Sequence, residues 1–180
     1  MNGFTYRGQH SSDMGINLLS YRISSPELRE YEDDIAGAPG AYDYGSDYGK
    51  RQIDLSLDIV QTGEPFERQR QRIYNWFKPT LAAGALVFDE MPDRFYFAKL
   101  AGKIGSDQIG EYGTLEITLK CTNPFAYGPE KIVSPTITAS PTTLQILSDG
   151  TEPTETLIEI TNAGTTTINQ LKLSIEYQLE

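Results

Sequence analysis

Two runs of strictly alternating residues constrain this chain more than anything else in it. Ile53, Leu55, Leu57 and Ile59 alternate with Asp54, Ser56 and Asp58, and Leu115, Ile117, Leu119 and Cys121 alternate with Thr114, Glu116, Thr118 and Lys120. Successive side chains of an extended chain point to opposite faces, so each run predicts a strand with one buried and one wet face. One-sided burial is a property of antiparallel sheets, and the fold class that follows is mainly β. Cys121 continues the apolar face of its run, which predicts a buried, inert thiol.

One helix interrupts this pattern. Gly63 breaks the first run, and Glu64-Pro65 opens a segment through Lys78 in which Phe66, Ile73 and Phe77 share one helical face. Tyr74 lies beside that face and Trp76 away from it, so Trp76 is expected to pack on a neighbouring element or to mark a subunit contact. Pro79 pushes the residue before it out of helical geometry and ends the helix. After a small-residue turn at Ala82, Ala83 and Gly84, residues 85–88 and 94–100 read as a hairpin joined across Met91-Pro92-Asp93. Residues 2–23 read as short extended pieces punctuated by Gly3, Gly8 and Gly15. Within them His10, Ser11, Ser12 and Asp13 form a polar turn.

Residues 31–48 read as a long loop. Glu32, Asp33 and Asp34 precede Gly37, Pro39, Gly40 and Gly45, with Tyr42, Tyr44 and Tyr48 among them. Loops of this length are mobile or functional, and one carrying three tyrosines suits the docking of a partner as well as it suits a mobile surface. Tyr42, Tyr44, Tyr48 and Trp76 are the candidate subunit or partner contacts.

Near residue 128 the composition turns to Thr, Ser and Pro, and a linker is expected over residues 128–136. The chain then divides into an N-terminal domain over residues 1–130 and the start of a second module over residues 131–180. Strands are predicted at 143–147, 156–161 and 171–179. So few strands are marginal alone, and the second module is expected to pair with the first, with another subunit, or with residues beyond a truncated end.

A formal net charge of −10 repels phosphate backbones, which argues against specific nucleic-acid binding. Arg68, Arg70 and Arg72 alternate with Gln69 and Gln71 and would spread around a helix as a solvated face. No stretch approaches the ~20 apolar residues that cross a bilayer, so membrane insertion is not expected. A single histidine and a single cysteine rule out an intramolecular disulfide and a metal cluster of several His or Cys ligands. No glycine-rich phosphate loop occurs, and the acidic clusters lack the spacing of a calcium loop. Neither catalytic residues nor a cofactor is assigned, and the chain is read as non-enzymatic.

Several segments stand in a telling order. They are Gly3-Phe4-Thr5-Tyr6 with Ser11-Ser12-Asp13-Met14-Gly15, the alternating strand over residues 51–60 and the helix end Ile73-Tyr74-Asn75-Trp76-Phe77. Leu86-Val87-Phe88, Pro92-Asp93-Arg94-Phe95-Tyr96-Phe97-Ala98 and Cys121-Thr122-Asn123-Pro124-Phe125-Ala126-Tyr127 follow. Taken together they resemble the siphophage distal tail protein family, over residues 3 to about 128. The resemblance implies an N-terminal β-rich domain, barrel-like or sandwich-like, with one α-helix, followed by a galectin-like β-sandwich of which residues 131–180 are a part.

The resemblance further implies a structural protein of a phage or prophage virion tail, assembled in the host cytoplasm as a hexameric ring. Such a ring is a baseplate hub for host adsorption. Its partners would be further copies of the chain, the tail tube protein, and the tail-tip or tail-associated lysin protein. Attachment of receptor-binding proteins is in doubt with an incomplete outer module. Two other readings stand beside this one: a carbohydrate-binding β-sandwich using the tyrosine segment, and a cell-wall hydrolase whose acids are hidden among 25 carboxylates.

Overall fold

The structure, a computed structural model, describes residues 3–37, 39–60, 62–109 and 112–176. The two alternating runs pair with each other in the interior of its main sheet. Strand β6 (Arg51–Ile59) pairs antiparallel with β10 (Tyr112–Cys121), Leu57 opposite Leu115, Leu55 opposite Ile117 and Ile53 opposite Leu119. All six of these side chains are buried, while Asp54, Ser56, Thr118 and Glu116 bond one another on the other face. Burial of one whole face fixes the register, because a slip of one residue would move every apolar side chain into water.

The rest of the sheet grows from that pair. On the far edge of β6 lies β3 (Ile16–Ile23). The free edge of β10 is shared by β9 (Gly105–Ile109) and β8 (Met91–Leu100). Beyond β8 come β7 (Gly84–Phe88), β1 (Phe4–Tyr6) and β2 (Gln9–His10), giving the order β2-β1-β7-β8-β10-β6-β3. Among the described residues the fold is mainly β with one α-helix, as expected. Barrel closure is not found, since β2 and β3 stand at opposite ends of an open sheet and β2 offers only two residues for a closing ladder.

The helix α1 (Phe66–Trp76) buries Gln69, Ile73 and Trp76, with Phe77 buried just past its end. The expected face is therefore rotated. Residues three and four beyond Ile73 flank it on a helix of 3.6 residues per turn, so Trp76 and Phe77 both reach the core. Trp76 stacks on Phe4 at 5.7 Å, and its indole N–H donates to the Tyr6 carbonyl at 3.1 Å. It packs on the neighbouring strand β1 and is corrected from contact candidate to core residue. Phe66 is only partly buried at the margin of the core.

Gln69 was invisible in the sequence as a core residue. It is 1% exposed, and its amide donates to the carbonyls of Val60 at 2.8 Å, Gly15 at 3.1 Å and Met14 at 3.4 Å. These carbonyls belong to the two chain segments that leave β6 and enter β3, so the side chain clasps the helix to that end of the sheet. Gly15 sits at φ 68°, and a Cβ there would fall 2.3 Å from the Gln69 amide nitrogen. Only glycine fits.

Three other expectations change. The span expected as a loop over residues 31–48 instead holds most of a two-stranded ribbon, β4 (Leu28–Asp34) with β5 (Ala41–Tyr48). Both faces of it are exposed, so no apolar alternation marks it in the sequence. The β7–β8 hairpin turns at Asp89 and Glu90 rather than across Met91-Pro92-Asp93, and Met91 already pairs with Phe88. The N-terminal pieces include the eight-residue β3 as well as short strands.

The largest change lies after the sheet. The chain divides into two units, residues 1–146 and 147–180. Residues 128–176 form no strand or helix, so the strands predicted at 143–147 and 156–161 are not formed. The same holds for 171–176, and 177–179 lie outside the described residues. Alternation alone leaves every backbone N–H and C=O without a ladder partner, and a lone strand is not stable in water.

Candidate interaction surfaces

The ribbon springs from the end of the sheet where β3 finishes and β6 begins. Its base is tied by Glu27 and Gly49, whose N–H groups donate to Lys50 O at 2.9 Å and Glu27 O at 2.7 Å. A break in register places Tyr44 and Gly45 together opposite Tyr31, and Gly45 takes φ 99° there. This is a β-bulge, whose extra residue needs the left-handed freedom of glycine. The Asp43 carboxylate accepts the Gly45 N–H at 2.7 Å and holds the kink.

The bulge decides where the tyrosines go. Tyr42 stands opposite Asp33, and Tyr44 opposite Tyr31, so these side chains share one face of the ribbon with Arg29 and Asp47. The Tyr31 hydroxyl donates to Asp47 on that face at 3.1 Å. Tyr48 stands opposite Leu28 on the other face, and its ring meets Phe125 edge-on at 5.9 Å. The three candidate tyrosines are thus split, Tyr42 and Tyr44 on one side and Tyr48 on the other. Tyr42, Tyr44 and Tyr48 are 59%, 68% and 55% exposed, a high value for aromatic rings.

A second aromatic surface was not singled out in the sequence. Phe95 and Tyr127 form an isolated bridge, with N–H to carbonyl distances of 2.9 and 2.8 Å, and their rings stack at 5.5 Å. Phe97 meets both rings edge-on and is 42% exposed. The bridge closes the sheet edge after β10 ends, so this part of the Asn-Pro-Phe-Ala-Tyr segment is structural at its backbone.

The single histidine and the single cysteine are both engaged in the fold. His10 Nδ1 accepts the Ser12 N–H at 3.2 Å, capping a 3-10 turn over Ser11–Met14. Its Nε2 lies 3.2 Å from Asp89, which also accepts the Gly3 N–H at 2.9 Å. The three residues tie β2 to the β7–β8 turn. Burial pushes the Cys121 thiol up to about 11, with nearby Arg51 opposing the shift, so little thiolate exists at neutral pH. The Tyr21 hydroxyl is raised above its usual value, first by its hydrogen bond to Glu90 at 2.8 Å. Among the described residues, no group of His, Cys, Asp and Glu is arranged to hold a metal ion. No described helix is long and apolar enough to cross a membrane.

Comparison with known proteins adds what this geometry lacks. The family model of the phage tail protein RIFT-related domain matches residues 9–121, which is most of the chain. The chain belongs to that family. The match begins at β2 and ends with β10, so it takes in α1, the ribbon and every strand of the main sheet except β1. Among solved structures, the Dit protein (gp 19.1) of SPP1 matches with a TM-score of 0.62 at 17% identity. That protein is described as a paradigm of the hub adsorption apparatus in phages infecting Gram-positive bacteria. The match covers 72% of this chain and 53% of that one, so this chain spans about half the length of the protein it resembles. At such identity the likeness is one of fold. A search among curated proteins found no significant match. The resemblance to siphophage tail proteins drawn from the sequence is borne out.

Proposed function

We infer that the chain is a non-enzymatic structural subunit of a phage or prophage tail, a distal hub whose copies assemble as a ring, with six copies as the expected number. In this reading it sits in the virion tail, joining the tail tube protein to the tail-tip and host-adsorption proteins. The observation that carries it is the family match over residues 9–121, together with a fold shared with a hub protein. The ribbon supports it physically. A two-stranded ribbon exposed on both faces is at best marginally stable in water, and burial against a neighbouring subunit would stabilise it. Tyr42, Tyr44 and Tyr48 remain the proposed contacts, since exposed tyrosines give large, rigid contact area. Residues 131–180 are proposed as the start of a second, outward module whose strands order only when paired.

The test is the mass of the full chain in solution, measured over a concentration series and followed by electron microscopy of any assembly. Closed rings that bind the tail tube protein are expected. A chain that stays monomeric at the highest concentration, with the tube protein present, would sink the reading.

A further inference from the structure

The ribbon and the helix carry opposite charge and leave opposite ends of the same strand. Between Leu28 and Tyr48 the ribbon holds Glu30, Glu32, Asp33, Asp34, Asp43 and Asp47 against Arg29 alone. A large part of the net charge of −10 is therefore concentrated in one protruding element. The ribbon joins the Arg51 end of β6, whereas α1 is clasped through Gln69 to the chain just past the Ile59 end. Nine residues of strand separate the two ends by roughly 27 Å at ~3.3 Å per residue.

The outward side of α1 is basic. Arg68 and Gln71 are exposed along it, Lys78 follows just past its end, and Arg70 lies over the Tyr74 ring at 5.9 Å. Arg70 and Arg72 already pair with Glu67 at 2.5 Å and Glu64 at 2.6 Å. Arg68 has no ion-pair partner among the described residues. A solvent-open hollow of about 520 Å³ on this side is lined by Pro65, Glu67, Arg68, Arg70, Gln71 and Tyr74.

We propose that the ribbon of one copy docks on the α1 hollow of a second copy, with Tyr42 and Tyr44 entering the hollow and Asp33 facing Arg68. Asp33 stands opposite Tyr42 and on the same face of the ribbon, so ring and carboxylate reach the helix together. The guanidinium of Arg68 matches both, as an ion-pair donor and as a cation over an aromatic face. Because the two patches lie at opposite ends of β6, each copy offers one and receives one. A contact of that kind is head-to-tail and closes into a ring when its rotation allows. The proposal rests on the homo-oligomer reading above and supplies its contact.

Charge reversal tests it. Asp33→Lys and Arg68→Glu each place like charges across the contact, and each is expected to weaken self-association of the full chain at least ~tenfold by sedimentation. An equimolar mixture of the two variants is expected to regain wild-type assembly, because every ribbon then meets a helix of opposite sign. The chain carrying both substitutions should regain it too. The neutral pair Asp33→Asn and Arg68→Gln serves if a reversal disturbs folding, and each should weaken association by a smaller factor. Rings of wild-type size from each single variant, or a mixture that stays dissociated, would overturn the contact and leave the ring reading standing. A monomeric wild-type chain would overturn both.

Discussion

Leu115, Ile117 and Leu119 on β10 and Leu171, Leu173 and Ile175 near the end of the chain carry the same alternating pattern, with opposite outcomes. The first three are 0–1% exposed, whereas the second three are 55–61% exposed and belong to no strand. Neither spacing nor residue type distinguishes them. What differs is the neighbour: β10 lies between β6 on one edge and β8 and β9 on the other, while no described residue pairs with residues 171–176. Alternation names the face a strand would bury. It does not supply the ladder or the layer that buries it.

The comparison is broken most directly by truncating matched aromatic residues. Trp76→Ala removes a ring stacked on Phe4 and the donor to the Tyr6 carbonyl, and is expected to cost about 3–5 kcal/mol in chemical denaturation. Tyr44→Ala on the open ribbon should stay within about 0.5 kcal/mol in the monomer. Equal losses would mean that the ribbon is packed against something in the free chain.

Aliphatic positions give the same contrast at a slightly smaller scale. Ile117→Ala should cost about 2–5 kcal/mol, while Leu173→Ala should be close to neutral. A loss of more than about 1 kcal/mol at Leu173 would show that the C-terminal run is buried in solution, and the contrast with β10 would collapse.

Gln69→Leu sharpens the picture of the sheet end. The leucine conserves much of the volume but leaves the Val60, Gly15 and Met14 carbonyls without their donor. A loss of about 1–3 kcal/mol is expected, read from the denaturant midpoint at unchanged slope. No loss would mean that water replaces the amide at no cost and that the clasp is incidental.

Cys121 fixes the face of β10 by pH. Its thiol titrates at about 11 in the folded chain against 9.0 when unperturbed, so the folded state holds its proton longer than the unfolded state. Stability from this group is complete below pH 9 and is lost as pH rises towards 11, amounting to on the order of 1–3 kcal/mol. Cys121→Ala should flatten that part of the pH profile. An unchanged slope, or native thiol labelling at the rate of a free peptide, would place the residue on the wet face.

Much of the fold was legible because its central strands carry their burial in their letters. Ile53 to Ile59 and Leu115 to Cys121 fixed two strands and their buried faces, and Pro65 and Pro79 bounded the helix to within a few residues. Trp76 was misplaced because Phe66, an early marginal residue, was given the same weight as Ile73 in setting the helical face. Gln69 gave no signal at all, since a polar side chain becomes core only when three carbonyls from two other segments converge on it. The ribbon was hidden for the converse reason. With neither face buried, β4 and β5 have no apolar period to read, and the bulge at Gly45 breaks what alternation exists.

The sequence by itself determined the mainly β class, the helix α1, the apolar faces of β6 and β10 and the absence of a His- or Cys-rich site, because these follow from local periodicity and residue counts. The tertiary structure decided which runs found partners. It left the sheet open, turned a tyrosine-rich loop into a ribbon, split Tyr48 from Tyr42 and Tyr44, and moved Trp76 into the core. Each of those outcomes depends on hydrogen bonds and packing between residues distant along the chain, and a one-dimensional pattern does not specify them.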